Sequence, residues 1–242
     1  MERVSGNADG LDEFLGAASV DQAVFELRPD YRALLIAVEG VGAGPSDSAS
    51  EALLVHAEQV ASELLATTPV AELPHIAAWR EAYRDFGAKP TRTRNSLEAL
   101  TRRAEAGLPR VNRLTDLYNA VSVIHQVPVG GEDLAGYRGA ARLRRAIGTE
   151  EFDTTSSGEA VIEHPDPGEV VWCDDVGVTC RLWNWRQGRR TQLTAETTTA
   201  LFIFDALGPM TDAELGAAAD DLVTHLRGLG ADVRVATRLI TS

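Results

Sequence analysis

The chain has 242 residues, 44% of them hydrophobic, and a formal net charge of −13. That length suffices for one well-filled core, so we expect a single globular unit. No run approaches the roughly 20 apolar residues of a membrane helix, and the polar N-terminus lacks a secretion signal, which predicts a cytoplasmic protein without membrane contacts. Two cysteines, Cys173 and Cys180, are too few for a disulfide framework and fit a reducing compartment.

The charge is unevenly distributed. Overall acidity argues against a generic polyanion binder, and we expect no DNA partner. Residues 84–194, however, hold 16 of the 23 bases against 15 acids, and residues 84–113 alone hold 8 bases and 3 acids. This region is either a local site for an anionic ligand or an ordinary solvated face.

The first half of the chain begins with two predicted strands and continues with four predicted helices. Apolar β-formers predict strands at 25–27 and 31–38, around a turn at Pro29. Apolar residues at helical spacing, with start and stop signals at their ends, predict helices at 48–67, 74–86, 96–105 and 115–126. A basic loop, 88–95, separates the second of these helices from the third.

After Gly130 the pattern changes to short strands, at 143–147, 161–163, 169–173, 178–183 and 201–206, with a hairpin turn at 174–177. A helix at 212–227 and a strand at 233–240 follow. The class is therefore α+β (mixed α/β), with a mixed sheet core and flanking helices. We expect an N-terminal extension, 1–45, whose strands pack on a central domain, 46–210, and a C-terminal helix and strand, 211–242, that complete the same unit.

The helix at 115–126 has two candidate faces. Leu117, Ala120, Val121 and Ile124 share the apolar face, and Tyr118, Ser122 and His125 lie on the other side, with Asn119 between. Such a helix is suited to line a pocket. Alternatively, these polar groups satisfy the local backbone or contact solvent.

The segment 181–187 combines aromatic and basic residues. If it continues a strand, Trp183 and Trp185 lie on one face and Asn184 and Arg186 on the other. Aromatic residues beside arginine suit single-stranded RNA ends. The alternative is that the tryptophans simply fill the core.

Familiar catalytic motifs are missing from the sequence. The five histidines lack metal-binding spacing, no glycine loop of a nucleotide site follows a strand, and no serine lies in a nucleophile elbow. We therefore expect neither a metal nor a cofactor.

Four segments together, 83–91, 111–119, 127–133 and 181–187, resemble a free-standing B3/B4 domain, best known as the editing module in the β subunit of bacterial phenylalanyl-tRNA synthetase. The resemblance spans residues 60–210. It implies that fold, and deacylation in trans of a tRNA that carries the wrong amino acid. The implied partner is the aminoacylated acceptor end of a tRNA.

The resemblance also implies roles for individual residues. Tyr118 and Asn119 fall on residues that line the editing pocket, and Asn184 falls near the segment that shapes its floor, so these three are the candidate catalytic residues. The candidate pocket residues are Ser122, Gly130, Gly131, Asp133, Trp183 and Trp185. The candidate tRNA contacts are Arg84, Lys89, Arg92, Arg94, Arg113 and Arg186.

Two positions depart from the family pattern. Gly130 stands where the synthetase has histidine, and Ile203 stands near its glutamate. Two alternatives to an editing hydrolase therefore stay open: a tRNA-binding or regulatory module without hydrolysis, and a pocket for a free amino acid or similar small molecule. The sequence does not predict the amino acid, the tRNA or the oligomeric state.

Overall fold

The computed structural model describes residues 8–242. The helices are α1 (Ala8–Ala17), α2 (Gln22–Leu27), α3 (Ser48–Leu65), α4 (Pro74–Asp85), α5 (Ser96–Arg103), α6 (Arg113–Ile124) and α7 (Asp212–Arg227). The strands are β1 (Ser19–Val20), β2 (Arg32–Glu39), β3 (Val129–Asp133), β4 (Arg142–Arg145), β5 (Phe152–Ser156), β6 (Glu159–Glu163), β7 (Val170–Cys173), β8 (Val178–Arg181), β9 (Arg186–Gln187), β10 (Thr199–Ala206) and β11 (Arg234–Ile240).

Two sheets and a helical layer build the core. A five-stranded sheet runs β1-β4-β7-β8-β9, a four-stranded antiparallel sheet runs β11-β2-β10-β3, and β5 and β6 form a separate hairpin. Trp172 of the first sheet and Leu201 and Ile203 of the second share one hydrophobic cluster, so these two sheet faces pack together. Phe202 and Phe204 point the other way, into a cluster with α6 and α7. This alternation is the period of two that a buried strand requires.

Both ends of the chain contribute to these sheets. β1 pairs in parallel with β4, and β2 lies between β10 and β11. A segment before residue 46 and a segment after residue 210 thus supply strands that flank those of the central region.

Local sequence signals set the helix starts. Asp47 accepts hydrogen bonds from the backbone N–H groups of Ala49 and Ser50 at the start of α3, and Asn112 accepts one from Thr115 in the first turn of α6. α4 opens with Pro74, whose missing N–H costs nothing at a first helical position. None of the described helices combines the length and apolar character needed to cross a bilayer.

The predicted α+β class is confirmed, and the longer helices lie where the spacing put them. The strand expected at 25–27 is wrong, because these residues end α2 and Phe25 packs beside Tyr31 at 6.3 Å between ring centroids. β3 was not predicted, since Gly130 and Gly131 interrupt its β-pattern, and β10 supplies the pairing. The strand expected at 178–183 ends at Arg181.

Candidate functional site

A partly open cavity of about 240 Å³ lies beside the face of β3 and β10 that meets the five-stranded sheet. It is bounded by α5, α6 and the turn between β8 and β9. Its lining residues are Ser96, Ala99, Leu100, Tyr118, Asn119, Val129, Gly130, Glu132, Trp172, Cys180, Trp183, Asn184, Trp185, Gln187, Ile203 and Asp205. All three candidate catalytic residues are therefore at one cavity.

The turn after β8 adopts an unusual backbone conformation. Leu182 and Trp183 have φ values of 48° and 67°, in the left-handed region that residues with a Cβ rarely occupy. Two hydrogen bonds hold the turn: the Leu182 N–H donates to Glu169 Oε1 at 3.0 Å, and the Trp183 N–H donates to the Val170 carbonyl at 2.6 Å. Arg181 in turn fixes Glu169, with an ion pair at 2.7 Å. Such strain persists only where surrounding contacts impose it, which is common at functional sites.

This turn corrects the predicted alternation of 183–186. Trp183 is fully buried, Asn184 is buried beside it, and Trp185 is 37% exposed, so the two tryptophans do not share a face. Two adjacent left-handed residues reverse the chain and break the period of two that a continuing strand would have kept. The turn brings both Trp183 and Asn184 to the cavity.

Asn184 is anchored by its neighbours. Its amide oxygen accepts a hydrogen bond from the Tyr83 hydroxyl at 2.9 Å, and its backbone carbonyl accepts one from the Ser96 N–H at 3.1 Å. The amide nitrogen Nδ2 is buried without a hydrogen-bond partner among the described residues. The first contact orients the side chain, and the second joins the turn to the start of α5.

Asn119 lies on α6, 7% exposed, and its amide makes no hydrogen bond to another described residue. Unlike Asn184 Nδ2, the Asn119 amide is not sealed from solvent, so it is open to a ligand or water in the cavity. Tyr118 lines the cavity while its ring lies 6.0 Å from that of Phe202. Burial raises the pKa of the Tyr118 phenol, so its hydroxyl stays protonated and is available as a donor.

The polar face expected on α6 is wrong, because α6 is covered on almost every side by β3, α3 and α7. Ser122 is outside the cavity: it is fully buried and donates to the Val127 carbonyl at 2.6 Å. His125 ends the helix, and its Nε2 lies 2.8 Å from Asp221 Oδ2 on α7. Both groups satisfy local partners, the alternative that the sequence left open.

The candidate pocket residues on β3 divide by the alternation of the strand. Gly130 faces the cavity, where an added Cβ would lie 3.3 Å from Gln187 Nε2. Gly131 faces the other way, and a Cβ there would clash with Leu193 and Tyr118 at 2.7 and 2.8 Å. Asp133 also lies outside the cavity, since its carboxylate accepts from the Thr197 hydroxyl at 2.6 Å and the Ala135 N–H at 2.9 Å.

Two carboxylates that the sequence analysis missed line the cavity. Asp205 is 2% exposed and accepts a hydrogen bond from the Tyr31 hydroxyl at 2.6 Å, and fully buried Glu132 accepts one from the Tyr137 hydroxyl. Burial away from water raises the pKa of each carboxyl to about 7. The sequence does contain a signal for Asp205, which is its position inside an apolar strand. Burying a lone acid there costs free energy unless a specific environment stabilises it.

The six candidate tRNA-contacting residues fall into three groups: exposed and without an ion pair, exposed or half-buried near an acid, and structural. Arg84, Lys89 and Arg92 are exposed on α4 and the following loop, and none of them forms an ion pair with another described residue. Arg94 lies 3.8 Å from Glu98, and Arg186 lies 3.6 Å from Glu163.

The loop that carries Lys89, Arg92 and Arg94 leads directly into Ser96 at the cavity. Arg113 differs, since it pairs with Asp47 at 2.8 Å and donates to the Gly42 carbonyl, which gives it a structural role.

No group of three or more side chains suited to hold a metal ion occurs within residues 8–242. The cavity is lined by residues with amide, hydroxyl, thiol and indole N–H groups and by the two carboxylates.

Comparisons with known proteins identify a family. The profile of the B3/4 domain matches residues 78–231, well over half of the chain. A solved structure similar to this chain is the crystal structure of an N-terminal fragment of the phenylalanyl-tRNA synthetase β-subunit from Pyrococcus horikoshii, with 12% identity and a TM-score of 0.46. The likeness covers 93% of this chain and 54% of that one, so the chain spans about half of the fragment's length. A search of curated proteins found no match.

Proposed function

Because the chain belongs to the B3/4 domain family, we propose that it is an aminoacyl-tRNA trans-editing hydrolase that deacylates a mischarged tRNA in this cavity. The observation that carries the proposal is the placement of Asn119, which lines the cavity and whose amide has no hydrogen-bond partner among the described residues. Asn184, fixed by Tyr83, lines the same space.

The size of the cavity supports an amino-acid ligand. Its volume of about 240 Å³ lies below the roughly 300–1,000 Å³ of pockets that hold drug-sized ligands. An aminoacyl group fits such a space. The ribose of the terminal nucleotide would remain at the mouth, where Trp185 is exposed and offers a surface for stacking.

The chemistry asks little of the protein, since an aminoacyl ester is already activated. Water attacks the carbonyl carbon, the bond from that carbon to the ribose oxygen breaks, and the ribose oxygen takes up a proton. The Asn119 amide is suited to donate to the carbonyl oxygen or to orient the water. Tyr118 lines the same cavity.

The basic loop supports an RNA partner. Arg84, Lys89 and Arg92 carry charges that no described acid neutralises by direct contact, on a chain whose net charge is −13. Arginine and lysine contacts to phosphates hold an RNA backbone without reading its sequence. The loop runs into the cavity at Ser96, so a tRNA bound there would present its acceptor end to the site.

The test is a panel of correctly and wrongly charged tRNAs incubated with the full chain. We expect at least one wrongly charged tRNA to lose its amino acid well above the spontaneous rate. A Gln59→Ala variant, which alters an exposed amide on α3 outside the cavity, is the matched control and should keep that rate. Spontaneous rates across the panel would refute hydrolysis, and filter binding that is equally strong at low and high salt would refute phosphate recognition.

We further propose that residues before 46 and after 210 form one folding unit with the central region, 46–210; the family match at 78–231 already extends past residue 210. β2 and β11 support this, because they supply two of the four strands in the sheet that forms the cavity wall. A chain lacking residues 211–242 should then fail to fold cooperatively.

A further inference from the structure

The charge balance of the cavity points to one chemical group on its ligand. Among residues 8–242 its lining includes two carboxylates, Asp205 and Glu132, but no lysine, arginine or histidine. Four aromatic residues, Tyr118, Trp172, Trp183 and Trp185, line it as well. Aromatic faces together with a carboxylate in a desolvated space favour a cation.

The two carboxylates lie at opposite ends of the cavity floor, which is the face of β3 and β10 that lines the cavity. On β3 and β10, Glu132 pairs with Leu201 and Gly130 pairs with Ile203. Asp205 follows Ile203 by two residues on the same face, so its Cα lies about 13 Å along the strand from that of Leu201. One small cation therefore contacts one carboxylate, not both.

Asp205 has the surroundings of a cation site. Trp172 lies close enough to influence its pKa, and Trp183 packs edge-on against Tyr31, the hydrogen-bond partner of Asp205, at 4.9 Å between ring centroids. The side-chain N–H groups of Asn184 and Trp172 approach Asp205 without reaching hydrogen-bond geometry. The Tyr31 hydroxyl is thus the one donor among the described residues that reaches hydrogen-bond geometry with the Asp205 carboxylate.

No cation among the described residues forms an ion pair with Asp205. The titratable groups that act on it or that it acts on are Tyr31, Tyr83, Cys180 and Glu132. Arg190 lowers the pKa of Glu132, but it already donates two hydrogen bonds, of 2.7 and 2.8 Å, to Asp174. A cation from outside is required to balance Asp205 once it ionises.

We propose that the ligand places a protonated amine against Asp205, enclosed by the indole rings of Trp172 and Trp183. Its identification as the α-ammonium group of an esterified amino acid rests on the proposed function, whereas the amine site itself does not. Substrates are then aminoacyl esters with a free α-amine, and N-acylated aminoacyl esters are excluded.

The experiment uses amino-acid methyl esters, without tRNA, as probes for isothermal titration and thermal shift with the full chain. We expect a free-amine ester to bind at least about tenfold more tightly than its N-acetyl form, because a charge-assisted contact is lost on acetylation. In Asp205→Asn, both forms should bind alike. Glu132→Gln, a matched change at the other end of the floor, should keep the preference.

A second measurement uses the wild-type chain alone. Binding of an ammonium group holds Asp205 in its ionised form, so a proton leaves near pH 7 and the binding enthalpy differs between buffers of different ionisation enthalpy. The methyl ester of Nα-acetyl-lysine tests which amine of the ligand binds. Its only free amine is on the side chain, so it should bind no better than other N-acetylated esters.

Several outcomes would overturn the assignment: no ester binds, acetylation changes nothing, no proton is released, Asp205→Asn keeps the preference, or Glu132→Gln alone removes it. Tight binding of the acetyl-lysine ester would contradict the identification of the bound amine as an α-ammonium group. If no tRNA in the panel is deacylated but amine binding is intact, only the proposed hydrolysis is refuted. If deacylation is unaffected both by N-acetylation of the substrate and by Asp205→Asn, only the amine site is refuted.

Discussion

Replacement of Asp205 by asparagine should change how stability depends on pH. The native Asp205 carboxyl has a pKa of about 7, against an ordinary value of 3.8, because burial disfavours the charge. Between these pH values the folded chain keeps a proton that the unfolded chain has released, so stability falls as pH rises through this window. Asparagine cannot ionise, yet its amide oxygen still accepts the hydrogen bond from Tyr31.

The magnitude follows from the size of the shift. A pKa raised from 3.8 to about 7 corresponds to about 4 kcal/mol at about 1.4 kcal/mol per unit. The free energy of unfolding of Asp205→Asn, relative to that of the wild type, should therefore rise by up to about 4 kcal/mol between pH 4 and pH 8. Carboxyls with lowered pKa values, such as Asp30, are common to both chains and cancel in the difference.

Urea unfolding followed by tryptophan fluorescence at several pH values measures this difference. Glu132→Gln should show a similar but separate gain, since burial also raises the pKa of Glu132 to about 7. Parallel curves for wild type and Asp205→Asn, with a difference that is constant to within about 0.5 kcal/mol, would refute the account of Asp205 as a buried carboxylate without a compensating cation.

Further substitutions test the floor, the turn and the RNA surface. Gly130→Val fills the floor beside Gln187 and should lower deacylation at least about tenfold with little loss of stability, whereas Gly216→Ala, where nothing lies within 4 Å, should add about 0.5–1 kcal/mol of stability and leave the rate unchanged. Glu169→Gln removes the buried charge that holds Arg181 and the turn, and should lower the free energy of unfolding by about 3 kcal/mol. Arg92→Ala should weaken tRNA binding and reduce its salt slope by about 1. A rate unaffected by Gly130→Val, unchanged stability of Glu169→Gln, or an identical salt slope would contradict the respective assignment.

The sequence predicted the features that depend on local pattern. Apolar spacing and caps located α3 and α4, which bury one stripe each, and also α6, which is buried on almost every side. The placement of Tyr118, Asn119 and Asn184 at one cavity came from resemblance, since nothing local in α6 distinguishes Asn119 from a structural amide.

Other features depend on tertiary contacts that no local pattern reveals. The left-handed turn at Leu182 and Trp183 is imposed by Glu169 and Val170, which precede it by more than ten residues. The carboxylate of Asp205 reaches the cavity because β10 pairs with β3 in one register, set by residues 70 positions apart. Period-two reasoning failed at 183–186 for the same reason, because long-range bonds overrode the strand.

The comparison of wild type with Asn119→Ala on the most rapidly deacylated tRNA tests the central claim most directly. Single-turnover hydrolysis should fall by about 10²-fold, the usual cost of one lost donor at a reacting carbonyl, while tRNA binding and the free energy of unfolding stay close to the wild-type values. An unchanged rate, or a fall explained by lost folding or lost tRNA binding, would contradict hydrolysis in this cavity.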